Sequence, residues 1–229
     1  ALNCGIQVSE YDTGGTLTNQ YRTSWLGNGM YSPSAYAPAI SVAGYRAQLP
    51  RVAMDDTGNA IITWRQSDGT TVRLYKSEYR NGSWINPIDL NDAISLDGAG
   101  TVDTNNSGDC LRVAMDNSGN AIITWDQSDG TNNRLYMREY RSGSWTQPTV
   151  LATSPYGSEI YAQLAMDNNG NAIIVWHQYN GAIIQTYKRE YRNGSWTHPT
   201  DLADTISFAG TNAYGPDVEM DNNGNAIIT

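Results

Sequence analysis

The chain has 229 residues, 39% of them hydrophobic, and carries 23 Asp and Glu against 14 Lys and Arg, a formal charge of -9. That length buries a sizeable core, while the acidic balance excludes a surface built to neutralise nucleic-acid phosphates or to sit on an anionic membrane. No apolar run reaches the roughly 18 residues that membrane insertion needs.

Composition adds a location. The lysines are Lys76 and Lys188, while Gly, Asn, Ser, Thr and Tyr are abundant, a polar surface that predicts a secreted or cell-surface protein. No basic stretch followed by an apolar one opens the chain, so any signal peptide is expected to have been removed.

In chain order, Ile6 to Tyr11 reads as a strand, and Gln20-Tyr21-Arg22-Thr23-Ser24-Trp25 as the end of one strand and the start of another. Leu49 to Met54 is a short apolar run, broken by Asp55-Asp56-Thr57-Gly58, where Asp opens a turn and Gly closes it. Asn59 to Gln66 follows as a second strand, rich in Ile, Thr and Trp. Ser67-Asp68-Gly69-Thr70 is another turn, Val72 to Arg80 a third strand, Asn81-Gly82 a hairpin signal, and Ser83 to Leu90 a fourth strand.

The rest of the chain repeats this unit. AMDDTGNAIITW from Ala53 returns as AMDNSGNAIITW from Ala114, AMDNNGNAIIVW from Ala165 and EMDNNGNAIIT from Glu219. Each of the first three is followed by a partner phrase, EYRNGSW from Glu78, EYRSGSW from Glu139 and EYRNGSW from Glu190. Nothing in the unit has helical spacing, so each copy is a four-stranded antiparallel meander. An array of such copies predicts an all-β fold, a β-propeller of four-stranded antiparallel blades around a channel.

All 7 tryptophans occupy repeat positions: Trp64, Trp125 and Trp176 end second strands, Trp84, Trp145 and Trp196 begin fourth strands, and Trp25 fits the latter set. They are read as core and blade-contact residues. Residues 46–98, 99–155 and 156–210 are whole blades within one domain. Residues 211–229 supply the first two strands of a closing blade, and residues 1–45 its remaining strands and a linker. Pairing of the N- and C-terminal strands would close a four-bladed ring without open edges. The strand at Ile6 to Tyr11 exceeds that count, so an arc of a larger propeller is the alternative.

The first strand of each blade is expected to line the channel. One face carries Val52 and Met54, Val113 and Met115, Leu164 and Met166, Val218 and Met220, expected to point into the blades. The other carries Ala53, Ala114, Ala165 and Glu219, with Arg51, Arg112, Gln163 and Asp217 two positions earlier. This polar set changes identity from copy to copy, which a purely structural position in so regular an array has no reason to do. Arg51, Arg112, Gln163, Asp217 and Glu219 are therefore candidates for a central ligand site. A solvated, salt-bridged channel lining is the competing reading.

The loops from second to third strand add Gln66, Asp68, Gln127, Asp129, His177 and Tyr179 as candidates. The connections between blades hold Tyr31, Tyr36, Tyr45, Tyr156, Tyr161 and Tyr214, outside the repeated phrases. Amides and carboxylates beside exposed aromatics suit a carbohydrate, whose apolar face stacks and whose hydroxyls hydrogen-bond. Simple coverage of blade edges competes with that reading.

No catalytic motif, metal site or cofactor is indicated. Cys4 and Cys110 lack CxxC spacing, and one disulfide or two unrelated thiols fit equally. Asp55-Asp56, Asp116, Asp167 and Asp221 belong to turns and lack the alternating oxygen ligands of a calcium loop. The Glu78-Tyr79-Arg80 phrase and its copies are read as cross-strand pairing.

Asp116, Gly119 and Trp125, with their counterparts, resemble the Asp-box of sialidase-type propellers, at a longer spacing than S-x-D-x-G-x-T-W. The phrases MDxxGNAIIxW and EYRxGSW are similar to tandem-repeat propeller proteins of bacteria, mostly secreted or surface-attached and without assigned activity. That resemblance implies fold and location more than function. A sialidase would also need three convergent arginines, a Tyr-Glu pair and an acid Asp, of which Arg51 and Arg112 alone are matched. The expectation is a non-enzymatic propeller that binds a carbohydrate or an extracellular protein on its loop face. A structural module joining copies into a homo-oligomer or fibre through its terminal strands, and a sialidase-like glycosidase, are the alternatives.

Overall fold

Alternating side chains, β-branched residues and tight turns give strands almost throughout. The computed structural model describes residues 7–11, 17–22, 40–42, 45–98, 100–102, 110–151, 156, 161–197, 199 and 201–229. Within them the helical element is a single 3-10 turn, Leu90–Asp92, capped by Asp89. No helix among the described residues is long and apolar enough to cross a membrane.

The protein is a β-propeller. Its first two strands, β1 (Gln7–Tyr11) and β2 (Leu17–Arg22), form a two-stranded sheet. The first whole blade is β3 (Ala47–Met54), β4 (Ala60–Ser67), β5 (Val72–Arg80) and β6 (Ser83–Ile85), paired in that order. The second is β7 (Arg112–Met115), β8 (Ala121–Ser128), β9 (Asn133–Arg141) and β10 (Ser144–Trp145), with β11 (Thr149–Val150) also on β9. The third is β12 (Ala162–Met166), β13 (Ala172–Tyr179), β14 (Ile184–Arg192) and β15 (Ser195–Thr197). A last hairpin joins β16 (Val218–Met220) to β17 (Ala226–Ile228).

Turn chemistry sets the register of each blade. Asn81 and Gly82 both have positive φ, 53° and 80°, as a two-residue hairpin matching strand twist requires. At the first turn, Asp55 Oδ1 accepts from the Thr57 and Asn59 amides at 2.9 and 2.8 Å, while Oδ2 accepts from Asn59 Nδ2. Asp116, Asp167 and Asp221 repeat this arrangement, so these carboxylates serve their own turns.

Both faces of a blade are apolar because each meets a neighbour. Ile61 and Leu74 of the first blade pack with Met115, Ile123, Trp125 and Tyr136 of the second. Ile122, Leu135 and Met137 pack with Trp176 and Tyr187 of the third. Ala165, Ile173 and Val175 meet Val218 of the last hairpin. Trp64, Trp125 and Trp176 are fully buried, each stacked on the tyrosine opposite it, Tyr75, Tyr136 and Tyr187. Burying such a ring removes roughly 150–250 Å² from water and dominates the seam.

Polar clamps finish the seams. Glu78 accepts from Lys76 and Arg80 of its own strand and from the Trp145 indole of the next blade at 2.7 Å. Arg80 in turn donates to the Gly119 carbonyl and lies 4.0 Å over the Tyr140 ring, both in the next blade. Glu139 and Arg141 repeat the device toward Trp196, Gly170 and Tyr191. The Glu-Tyr-Arg phrase thus binds blade to blade, beyond the cross-strand pairing expected of it.

Two features differ from the sequence reading. Among the described residues the terminal strands share no ladder: β1 pairs β2, and β16 pairs β17, as separate sheets. The chain holds one N-terminal strand more than closure needs, and that strand, β1, is the partner β2 takes. Val52 and Met54 are 63% and 64% exposed, whereas their counterpart Met115 is buried. A seam covers this face in the later blades, and the described residues place no inner strand against it in the first. The Ala face also meets a neighbour, since Ala53 packs in the seam with the second blade and Ala165 against Val218.

Candidate functional site

The second strand of each blade ends in Trp-x-Gln, and alternation puts Trp and Gln on one face. Trp64, Trp125 and Trp176 each donate an indole N–H to the Gln two residues on, at 3.0, 3.2 and 3.1 Å. Gln66 Nε2 then donates to the Val42 and Tyr45 carbonyls, and Gln127 Nε2 to those of Leu96 and Gly100. Gln66 and Gln127 are buried, so they pin the blade connections to the loop end rather than face solvent.

Asp68 and Asp129 shape the next turn. Asp68 accepts from the Thr70 and Thr71 amides, Asp129 from those of Thr131 and Asn132. Those amides, with the Arg134 guanidinium at 2.8 Å, hold the Asp129 carboxyl down at about 2. Both stay ionised as turn formers.

The inner-strand set forms a row. The registers align Arg51, Arg112, Gln163 and Asp217 at one level of successive blades. Arg112 Nε donates to Gln163 Oε1 across the seam at 2.6 Å, and Arg112 Nη1 to the Leu111 carbonyl. Arg51 donates to the Pro50 carbonyl, and Asp217 accepts from the Val218 amide. Asp217 and Glu219 are exposed. The structure brings Arg112 and Gln163 together directly.

A second grouping lies at the loop end of the third blade. His177 is buried between Tyr161, parallel to it at 6.1 Å between ring centres, and Tyr214, edge-on at 5.8 Å. The Gly215 amide donates to its Nδ1 at 3.0 Å. Two residues further along β13, on the same face, Tyr179 meets Tyr156 at 81° and 6.2 Å. The Tyr179 hydroxyl donates to the Gly181 carbonyl, which fixes that ring. Tyr156 and Tyr214 are exposed, and Tyr179 stands at the margin of exposure. The result is a strip of five aromatic rings, some edge-on, with polar groups beside them.

The sequence singled out all five of these rings. Tyr31 and Tyr36 lie outside the described residues, as does Cys4; Cys110 is buried in the seam between the second and third blades. Arg65 and Asp126, which sequence reasoning passed over, are buried at the place His177 holds in the third blade. Their signal was variation between an invariant Trp and an invariant Gln. Among the described residues no group of three or more His, Cys, Asp or Glu could hold a metal ion.

No protein-family model matches this chain, and no curated protein matches it. Solved structures do. The polysaccharide lyase Uly1 is similar over 96% of this chain and 60% of its own, at 11% identity and a TM-score of 0.54. A protein of unknown function from Dyadobacter fermentans DSM 18053 is similar over 80% of this chain and 61% of its own, at 11% identity and a TM-score of 0.51. The chain thus spans about three fifths of the length of both, and the likeness is one of fold.

Proposed function

We propose that this chain is a secreted or surface-exposed propeller that binds a carbohydrate, without transforming it, on the aromatic strip at the loop end of its third blade. The observation that carries the reading is the corner formed by Tyr156 and Tyr179. One ring can stack on the apolar face of a pyranose while the other flanks its edge. Both rings are held before any ligand arrives, which spares the cost of ordering them on binding. The polar, lysine-poor composition supports the location, and the similarity to a polysaccharide lyase is compatible with a sugar as ligand.

The test is a glycan array probed with the whole chain, with Tyr156→Ala and Tyr179→Ala, and with the distant surface change Ile88→Ala as control. Binding that survives in the control and falls at least tenfold in both tyrosine variants supports the proposal. Binding unaffected by either tyrosine would move the site elsewhere. Release of reducing ends from a bound glycan would replace binding by glycosidase action.

A further inference from the structure

The third blade is not the only one to seat a tyrosine on its second-to-third-strand turn. Gly69 and Gly181 occupy the same place in their blades and share a φ of 101°. A Cβ built on Gly181 would stand 2.8 Å from Tyr156 Cε2 and 3.0 Å from Cζ; one on Gly69 would stand 2.6 Å from the Tyr45 hydroxyl and 3.1 Å from Cζ. In both blades a tyrosine from the preceding connection lies closer to the turn than any side chain there would allow. Both rings keep solvent access, Tyr156 at 56% and Tyr45 at 48%.

The fold does not require this contact. The second blade makes the same turn at Gly130, φ 94°, with nothing among the described residues within 4 Å of the corresponding Cβ. The turn therefore forms without a ring upon it. Tyr45 is also held in place from behind: its carbonyl accepts from Gln66 Nε2 at 2.9 Å, and Gln66 accepts from the Trp64 indole. A hydrogen-bonded chain from the blade core thus fixes the backbone of an exposed aromatic residue, which is the construction of a prepared binding surface.

We propose that Tyr45 on Gly69 is a second carbohydrate-stacking platform, and that the ligand is a polysaccharide chain engaging both platforms at once. This rests on the carbohydrate reading of the third-blade strip. The two turns lie at the same end of the array, two blades apart. With sheets packed about 10 Å face to face, that is a separation of roughly 20 Å, beyond the reach of a disaccharide. Linked platforms gain by effective concentration, so a polymer binds far more tightly than its short fragments. Gln66 and Asp68 are positioning residues in this arrangement, the first holding the Tyr45 backbone and the second shaping the turn that presents Gly69.

The experiment is affinity electrophoresis of the whole chain, Tyr45→Ala, Tyr45→Phe and Tyr156→Ala in gels containing arabinan, xylan or mixed-linkage β-glucan. It is paired with titration by the disaccharide and the octasaccharide of the retarding polymer. The wild-type chain should bind the octasaccharide at least tenfold more tightly than the disaccharide. Tyr45→Ala should abolish that gain while leaving disaccharide affinity unchanged, and Tyr45→Phe should keep it. An unchanged melting temperature for Tyr45→Ala ensures that the loss is one of contact. If Tyr45→Ala binds the octasaccharide as the wild type does while Tyr156→Ala does not, the second platform is refuted and the first stands. Absence of retardation in every gel overturns both.

Discussion

Removing Glu78 tests whether the blades are locked by the clamps at their seams. Glu78→Ala deletes a carboxylate whose side chain is 6% exposed and which accepts from Lys76, from Arg80 at 2.8 Å and from the Trp145 indole at 2.7 Å. Deleting one member of a buried ion pair costs about 3–5 kcal/mol, because the partner charges are left without compensation. Lys76 and Arg80 keep some access to water, 18% and 12%, which points to the lower end, about 3 kcal/mol. For a chain of this size that lowers Tm by roughly 6–12 °C. Glu190→Ala is the internal comparison. Its side chain is 21% exposed and its ion pairs, with Lys188 and Arg192, lie within its own strand, so it should cost about 1 kcal/mol or less. Burial pushes the Glu78 carboxyl up, but the Lys76 charge and the bonds from Lys76, Arg80 and Trp145 outweigh it and hold it below the ordinary range. A depressed carboxyl stabilises the fold above its unfolded value of about 4.3 and loses that contribution as pH falls through its folded value. The Tm gap between wild type and Glu78→Gln should therefore be widest near neutrality and close in acid. Thermal unfolding followed by near-UV circular dichroism from pH 7 to 2 measures both effects. Equal losses for Glu78→Ala and Glu190→Ala, or a gap that widens in acid, would refute the clamp.

Three further outcomes are expected. Trp125→Ala should destabilise by about 3–5 kcal/mol in denaturant titration, since a fully buried ring is lost from the seam between the first two blades; a loss under about 1 kcal/mol would deny it that place. Gln127→Leu should cost roughly 2–3 kcal/mol by orphaning the Trp125 indole and the Leu96 and Gly100 carbonyls. In the same variant, glycan binding at the third blade should persist; its disappearance in a folded protein would make the glutamine a ligand contact. Gly170→Ala should cost about 1–3 kcal/mol, because φ is 83° and the new Cβ would meet Asp116 Oδ2 at 2.7 Å; stability equal to wild type would show that turn to be more accommodating than its geometry implies.

The blades were legible because their information is local. Asn81-Gly82, the Asp-to-Gly turns and the alternation in Ala60–Ser67 each specify a turn or a strand within ten residues. What crosses between blades was not legible in that way. Glu78 and the Trp145 indole are 67 residues apart, so the Glu-Tyr-Arg phrase looked like pairing along its own hairpin. The glutamines were misleading for a similar reason. A polar residue at a strand end suggests solvent, and the carbonyls of Leu96 and Gly100 that satisfy Gln127 lie in a connection with no recognisable motif. The pairing of β1 with β2 was visible as one strand too many for closure, but nothing in the sequence said which edge that strand would take.

Repetition also separates what the fold demands from what it leaves open. At the loop end of each blade's second strand, Trp and Gln recur: the Trp fills the seam and donates to the Gln, which in the first two blades ties down the preceding connection. The residue between them points to the opposite face, and there the array places Arg65, Asp126 and His177, a cation, an anion and an imidazole, each buried. One backbone position that accepts three chemistries is under no common packing constraint. In the third blade that freedom is used to set His177 against Tyr161 and Tyr214. The same logic applies to the turn glycines: among the described residues no ring lies on Gly130 as one does on Gly69 and Gly181, so those rings are additions to a turn already complete without them. Departures from the repeat at fixed geometry are therefore where binding chemistry belongs in this chain, and they converge on its loop end.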